Sequence, residues 1–440
     1  MKRFIAVGRS RRSLRLPLAA ALLTVPAAAC DNILEVEDPD VVRPPQLEGA
    51  AGIPSRVNGA ILDLQIAFNG NFNNSLVVAQ GLFTDEYYFS DTFTDRGEVD
   101  RRNINRDDNQ IILNVFSGLI LTRTSAAAAI DAINEFEPDN ENLSLMHSIH
   151  GFTDVFLGES FCAGVPISTL VGNTIEFGTP RTMAETFEDA IDAFDAAIAA
   201  DPAADAARIG KGRALVDLGR YDEAAAVVAG VATGFAEFVR HSSTAASQNN
   251  GLWSLSTNGR LTVWDHDGGN GLAFRSANDP RVPWLDTGGL GWDEETPLYL
   301  QLVQPDIDSD VPLATGIEAR LIEAEAALDA GDRAGFFSAH NAARATENLA
   351  PLTDNGELLD ELVDLHFSER GFWFYSTAHR LGDLRRLVRQ YGRDAESVFP
   401  TGAYQKGGTF GSDVNFPIPV EEDNNPNTRP LEQGCLDRSA

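Results

Sequence analysis

The seven histidines stand at 147, 150, 241, 266, 340, 366 and 379. Only His147 and His150 share a helix face at i, i+3 spacing, and no cysteine or third ligand lies near them, so no metal is expected there. Asp306-x-Asp308-x-Asp310 has the opening of a calcium loop but carries Val311 at the sixth place and Ile317 at the twelfth. Asp265, Asp267 and Asn270 make a similarly incomplete set. The chain contains no G-x-S-x-G, H-E-x-x-H, phosphate-loop or dinucleotide-loop motif. Gly268-Gly269-Asn270-Gly271 is turn chemistry without a strand-to-helix context. Neither a catalytic residue nor a cofactor is expected.

What the side chains can do is bind. Sugar rings present flat C–H faces that lie on aromatic rings, and their hydroxyls are fixed by planar Asp, Asn and Arg groups. Two segments interleave these types. Between Thr84 and Asn109, Tyr87, Tyr88, Phe89 and Phe93 stand among Asp85, Asp91, Asp95, Arg96, Arg101 and Arg102. Between Phe238 and Pro312, a Gly-, Asn-, Ser- and Thr-rich stretch holds Trp253, Trp264, Trp284 and Trp292. An insert this long without helical period is functional or disordered, and its tryptophans argue against disorder.

Helices must position these segments. Ala190, Phe194, Ala197 and Pro202 have the A-x3-F-x2-A-x4-P spacing of half a tetratricopeptide repeat. Gly212, Gly219, Tyr221 and Ala224 continue the register, and Ile317 to Ala345 supplies a third unit through Ala324, Gly331 and Ala343. Small residues let antiparallel helices touch, and Phe194 or Tyr221 fills the space beside them. Helices are also expected over 57–83, with a break at Asn69–Asn74, over 111–136 and over 143–161.

Near the end, Leu358 to Leu387 reads as two apolar helical stretches joined around Glu369-Arg370-Gly371, where glycine weakens helix continuity. The charges bunch at Glu369, Arg370, His379, Arg380, Asp383, Arg385 and Arg386, which suits helices stitched by ion pairs. Together with Phe416-Pro417-Ile418-Pro419, Glu421 and Asn425-Pro426-Asn427, this pattern resembles the C-terminal signature of SusD/RagB-type outer-membrane nutrient-binding lipoproteins. That family usually has a glutamate inside the aromatic run and an acidic-Gly pair before the His/Arg; here Trp373 and Thr377-Ala378 stand there.

The first 29 residues read as a targeting segment. Lys2, Arg3, Arg9, Arg11, Arg12 and Arg15 make a basic start, Leu16 to Val25 an apolar core too short to span, and Pro26-Ala27-Ala28-Ala29-Cys30 a degenerate lipobox. Cys30 is therefore the expected lipidation site, with cleavage near Ala29 as an ordinary signal peptide the alternative. Ser10-Arg11-Arg12-Ser13-Leu14 also resembles a twin-arginine signal. No second apolar stretch is expected to span. Cleavage leaves 28 basic against 65 acidic residues, a net charge of −37 where the whole chain has −31. Such a charge repels nucleic acid and anionic lipid headgroups and argues against both as partners. With Cys30 lipidated, Cys162 and Cys435 remain, and export favours their pairing as a disulfide.

The resemblance implies a mostly α fold: tetratricopeptide-like helical hairpins with a loop-rich second half, forming one domain over residues 30–440. Its parts are helical repeats at about 111–238 and 316–345, an insert at about 238–312, signature helices at 358–388 and a tail at 398–440. It also implies that the two aromatic segments meet to form a ligand site. The candidates, chosen by place and residue type, are Tyr88, Phe93, Arg96 and Arg101 with Trp284, Trp292 and Tyr299. The implied function is capture of a nutrient, an oligosaccharide or peptide, at the outer-membrane surface. The implied partner is a TonB-dependent (SusC-like) transporter, with the outer membrane reached through the lipid anchor. The competing reading is an exported tetratricopeptide scaffold that binds envelope proteins.

Overall fold

Several of the helices begin at a side-chain cap. The computed structural model describes residues 48–70, 75–171, 174–429, 431 and 434–440; Cys30 and the targeting segment lie outside them. Helix α1 (Ile53–Asn69) precedes α2 (Leu76–Phe83), whose first turn is closed by the Ser75 hydroxyl accepting from the Val78 amide at 3.1 Å. Helix α1 stops at Gly70, whose backbone is extended, within the expected break at Asn69–Asn74; residues 71–74 lie outside the described residues. Strand β1 (Tyr88–Phe89) and the short α3 (Thr94–Asp100) follow. Helix α4 (Gln110–Phe136) is capped by Asn109, and α5 (Leu143–Ser160) runs to the Phe161 turn. By length and composition α4 could cross a membrane, contrary to the expectation of no further spanning stretch. Yet Ile111, Ile112, Val115, Phe116 and Leu119 are buried in the core, so its apolarity is used in packing.

Strands β2 (Val165–Pro166), β3 (Thr169–Val171), β4 (Thr174–Glu176) and β5 (Pro180–Arg181) make two small antiparallel ribbons, β2 with β5 and β3 with β4. The repeat helices are α6 (Met183–Ala200), α7 (Asp205–Asp217) and α8 (Tyr221–Val228). A full capping box of Thr182 and Glu185 starts α6, as the T-x-x-E spacing dictates. A Cβ on Gly210 would stand 2.3 Å from the Phe194 ring, and one on Gly212 would meet Val228 at 2.8 Å and Ile322 at 3.0 Å. Glycine at these places is what permits the helix contacts.

Strand β6 (Ala236–Val239), helix α9 (Gly251–Thr257) and strands β7 (Leu261–Thr262), β8 (Trp284–Leu290), β9 (Pro297–Gln301) and β10 (Val311–Thr315) belong to the insert. β6 and β10 pair antiparallel with Ala236 opposite Thr315. That ribbon closes the insert at its neck. The helical stack therefore resumes directly, with α10 (Gly316–Asp329) against α7 and α8, and α11 (Arg333–Arg344) against α10.

Helix α12 (Leu359–Trp373) passes straight through Gly371, and α13 (Arg380–Arg389) begins after a turn at 374–379. The expected junction at Glu369-Arg370-Gly371 thus lies inside α12, ahead of the observed turn. Gly371 instead permits close approach: a Cβ there would lie 2.5 Å from Leu272 of the insert. The chain ends in α14 (Ala395–Val398) and a largely irregular tail. Cys162 and Cys435 are disulfide-bonded with Cα atoms 5.8 Å apart. Phe416 lies beside them, its amide donating to Ser160 O and its carbonyl accepting from the Cys162 amide. Its ring packs edge-on to Phe83 at 5.2 Å and Phe161 at 5.6 Å.

Candidate functional site

The two aromatic segments are joined by a ladder. β1 pairs antiparallel with β7, setting Tyr88 opposite Thr262. The Tyr299 amide donates to the Thr262 hydroxyl at 2.7 Å, and the Val263 amide donates to Tyr299 O at 3.0 Å. β9 is thereby added beside β7, and β8 folds back on it with Asp286 opposite Tyr299. The alternation of a strand then presents Tyr88, Trp264, Tyr299 and Trp284 as neighbours. Tyr88 stacks on Trp264 with centroids 4.5 Å apart and planes 20° from parallel. Trp264 lies 6.0 Å from Tyr299, which meets Trp284 edge-on at 5.5 Å. Arg275 stands 4.2 Å from the Tyr299 centroid and 5.2 Å from that of Trp264. Its charge is paired with Asp265 at 3.1 Å. All four rings are partly exposed.

A cavity of about 410 Å³ opens beside this cluster, lined by Tyr88, Trp264, His266, Asp267, Gln405 and Phe410 among others. The tail contributes its far wall. Tyr404 and Gln405 both donate to Asp100 Oδ2, at 2.8 and 3.0 Å. Burial pushes the Asp100 carboxyl up to about 7, and raises that of Asp267 through burial and the neighbouring Asp100. The same carboxyls, with burial first, push the Tyr88 phenol up to about 12, so it remains a neutral donor.

The remaining candidates fall elsewhere. Trp292 is 52 % exposed and carries Arg260 at 4.0 Å from its ring centroid. Arg260 and Arg96 both bond Asp91, at 2.7 and 2.5 Å, and Arg96 also lies over Phe93. Arg96 is buried; it and Phe93 brace the loop rather than line the cavity. Arg101 donates to Thr409 O at 2.7 Å and lies over the Tyr404 ring, holding the tail hairpin. Reading by residue type missed Trp264, Asp267, Arg275 and Gln405. Trp264 stood in the run Trp264-Asp265-His266-Asp267, an aromatic beside carboxylates, which was the available signal. A larger cavity of about 470 Å³ lies away from this cluster, among Leu64, Ile149, Phe152, Phe238 and Leu313. Its Gln65, Ser144 and Ser148 each donate to a backbone carbonyl, so those donors are committed within the protein.

A tetratricopeptide repeat family model matches residues 182–233, the stretch that forms α6 to α8. No curated protein matches the sequence. Solved structures match over nearly the whole chain. A SusD-like carbohydrate-binding protein from Bacteroides vulgatus is 13% identical, with a TM-score of 0.65 over 88% of this chain and 98% of that one. Surface glycan-binding protein A from Bacteroides fluxus is 14% identical, with a TM-score of 0.62 over 88% and 98%. A SusD superfamily protein from Bacteroides vulgatus is 17% identical, with a TM-score of 0.61 over 86% and 97%. The fold is SusD-like.

In this SusD-like fold the signature residues hold the site without entering it. Arg380 holds Asp85 bidentately, and Asp85 Oδ2 also accepts from the Leu272 amide at 2.7 Å. The signature turn, the first aromatic segment and the insert thus meet on one carboxylate. Next to it, Glu86 Oε1 accepts from the Ser376 amide at 2.9 Å and the Glu86 carbonyl from the Tyr375 hydroxyl at 2.8 Å. Glu159 on α5 takes two bonds from Arg213 at 2.6 and 2.5 Å. Arg386 bridges Glu325 at 2.5 Å and Asp383 at 3.0 Å, and Arg370 bonds Asp383 at 2.9 Å. Arg385 donates from one Nη to the carbonyls of Gly158, Glu159 and Phe161. These are C-terminal carbonyls of α5 that no helical amide reaches, and a cation suits that end of the dipole. Trp373, standing where the family usually has glutamate, lies 4.9 Å from Arg281, whose partner is Glu369 at 2.9 Å.

Proposed function

We propose that this protein binds a glycan at the Tyr88–Trp264–Tyr299–Trp284 cluster and hands it to a TonB-dependent outer-membrane transporter. The observation that carries this reading is the ring cluster beside an open cavity, formed where two distant segments meet in a SusD-like fold. Aromatic faces supply area for sugar C–H groups, and Asp267, Gln405 and Arg275 supply planar polar groups at its edge. Binding, without bond cleavage, is the activity proposed. The names of the similar structures, carbohydrate-binding and surface glycan-binding proteins, support the same class of ligand. Lipidation at Cys30 would tether the protein to the outer membrane beside its transporter, and its strong negative charge would keep it clear of anionic headgroups. The test is a glycan array probed with the purified protein, together with a pull-down of the lipidated form from its own outer membrane. Recovery of a barrel transporter and retention of at least one glycan are expected. A pull-down holding only other envelope proteins, with an empty array, would replace this reading with the scaffold one.

A further inference from the structure

The cavity of about 470 Å³ plays no part in the glycan reading, and its walls differ in kind from those of the aromatic cluster. It is formed by α1, α5, the turn between α6 and α7, and strand β6 at the neck of the insert. Its depth is apolar: Leu64, Ile149, Phe152 and Leu313 are all buried. Ile61 and Leu145 belong to the same wall but are 40 % and 39 % exposed. Large apolar side chains left in water around an apolar hollow are the pattern of an interaction surface.

The charges around this groove narrow the choice of occupant. Glu141 just before α5, Asp201 just after α6 and Glu237 on β6 are exposed members of the wall. None of the three has an ion-pair partner among the described residues. Arg240, the cation in the wall, is already engaged, bonding Asp310 at 2.5 Å and lying over the Phe238 ring. With the Gln65, Ser144 and Ser148 donors committed to backbone carbonyls, a neutral sugar would find few donors for its own acceptors. A second copy of this chain, at a net charge of −31, would bring like charge to the rim. A peptide carrying Lys or Arg beside an apolar side chain meets both the hollow and the rim. Strand β6 favours an extended one. It pairs with β10 and with no other strand among the described residues, and its Ala236 and Glu237 are exposed. A strand paired on one side can take an extended chain on the other.

We propose that this groove docks an extended segment of a partner protein, in which an aromatic or aliphatic residue is flanked by Lys or Arg. The apolar side chain fills the hollow over Phe152 and Leu313, between Ile61 and Leu145. The flanking cations lie against Glu141, Asp201 and Glu237. The site is separate from the glycan cluster and does not rest on it.

The experiment is an array of random heptapeptides probed with the purified protein, followed by calorimetry on the peptide retained best. The retained peptides are expected to carry Lys or Arg next to Phe, Trp or Leu. Changing the basic residues of the best peptide to Glu, or its apolar residue to Ser, should weaken binding at least about tenfold. The double variant Ile61→Ser, Leu145→Ser should lose as much without any change in charge. That separates docking from general attraction to an acidic protein, and a thermal melt confirms the fold. Should that variant fail to fold, Glu141→Lys with Glu237→Lys serves instead, and should turn the preference toward peptides with acidic flanks. An array without enrichment of the basic–apolar pattern overturns the proposal, as does affinity that survives in the folded double serine variant or a preference unmoved by the lysine pair. Phenethylamine binding as tightly as the best peptide would also overturn it, making the groove a pocket for a small organic cation.

Discussion

Arg380 and Asp85 lie 295 residues apart and are joined by two parallel bonds, Nε to Oδ1 at 2.6 Å and Nη2 to Oδ2 at 2.7 Å. Both side chains are buried. Burial by itself would raise the Asp85 carboxyl, but the Arg380 charge and bonds, with the Leu272 amide, hold it below the usual range. This pair fixes the distance between the signature helices and the aromatic segment that begins at Thr84. Arg380→Met should destabilise the fold by roughly 3–5 kcal/mol, because the buried carboxylate loses its countercharge. Adding Asp85→Asn should recover part of that loss, read from urea melts of the three proteins.

Ala378 carries a φ of 56°, in the left-handed region that disfavours side chains. The related family usually places glycine here. Its carbonyl accepts from Arg213 at 2.6 Å, which keeps the turn in this conformation. Ala378→Gly should relieve the strain and stabilise the protein by about 1 kcal/mol, less any packing lost with the buried methyl. A rise in the urea midpoint at unchanged slope would show it.

Glu86 is buried, and burial pushes its carboxyl from 4.5 to about 8. Its Oε2 has no partner among the described residues. In the folded protein it stays protonated where an unfolded chain would ionise. Its contribution is therefore complete below about pH 4.5 and is lost as pH rises through about 8. Glu86→Gln should flatten the fall in stability over that window and leave the variant more stable than the parent at the alkaline end. Chemical denaturation at a series of pH values checks the sign.

The Cys162–Cys435 bond closes a loop spanning 273 positions. Constraining an unfolded chain over such a span stabilises the fold by about 5 kcal/mol in the chain-entropy account. Reduction should release the tail first, leaving it held by Phe416, the hairpin at Tyr404 and the bonds from Arg102 and Arg106. Limited proteolysis with and without reductant should show cleavage after Phe399 only in the reduced protein.

The helical scaffold was legible because its cues are local. The spacing of Ala190, Phe194 and Ala197 and the glycine at 212 record contacts between successive helices. Two cysteines left for one bond were equally plain. The site was legible only by region, because the pairing of Tyr88 with Thr262 is made between segments that share no sequence pattern. Composition could not say that Arg96 turns inward to Asp91 while Trp264 faces Tyr88, since both answers depend on partners far along the chain. Gly371 misled for a related reason. A glycine in an apolar helix reads as a break, whereas here it makes room for Leu272.

The central claim is that the Tyr88–Trp264 pair holds a saccharide. The most direct measurement is titration of the best array glycan into the parent and into Trp264→Ala, with a thermal melt confirming that both are folded. Loss of a stacked aromatic should weaken binding at least about tenfold. Undiminished affinity in the folded variant would contradict the account and move the ligand away from this cluster.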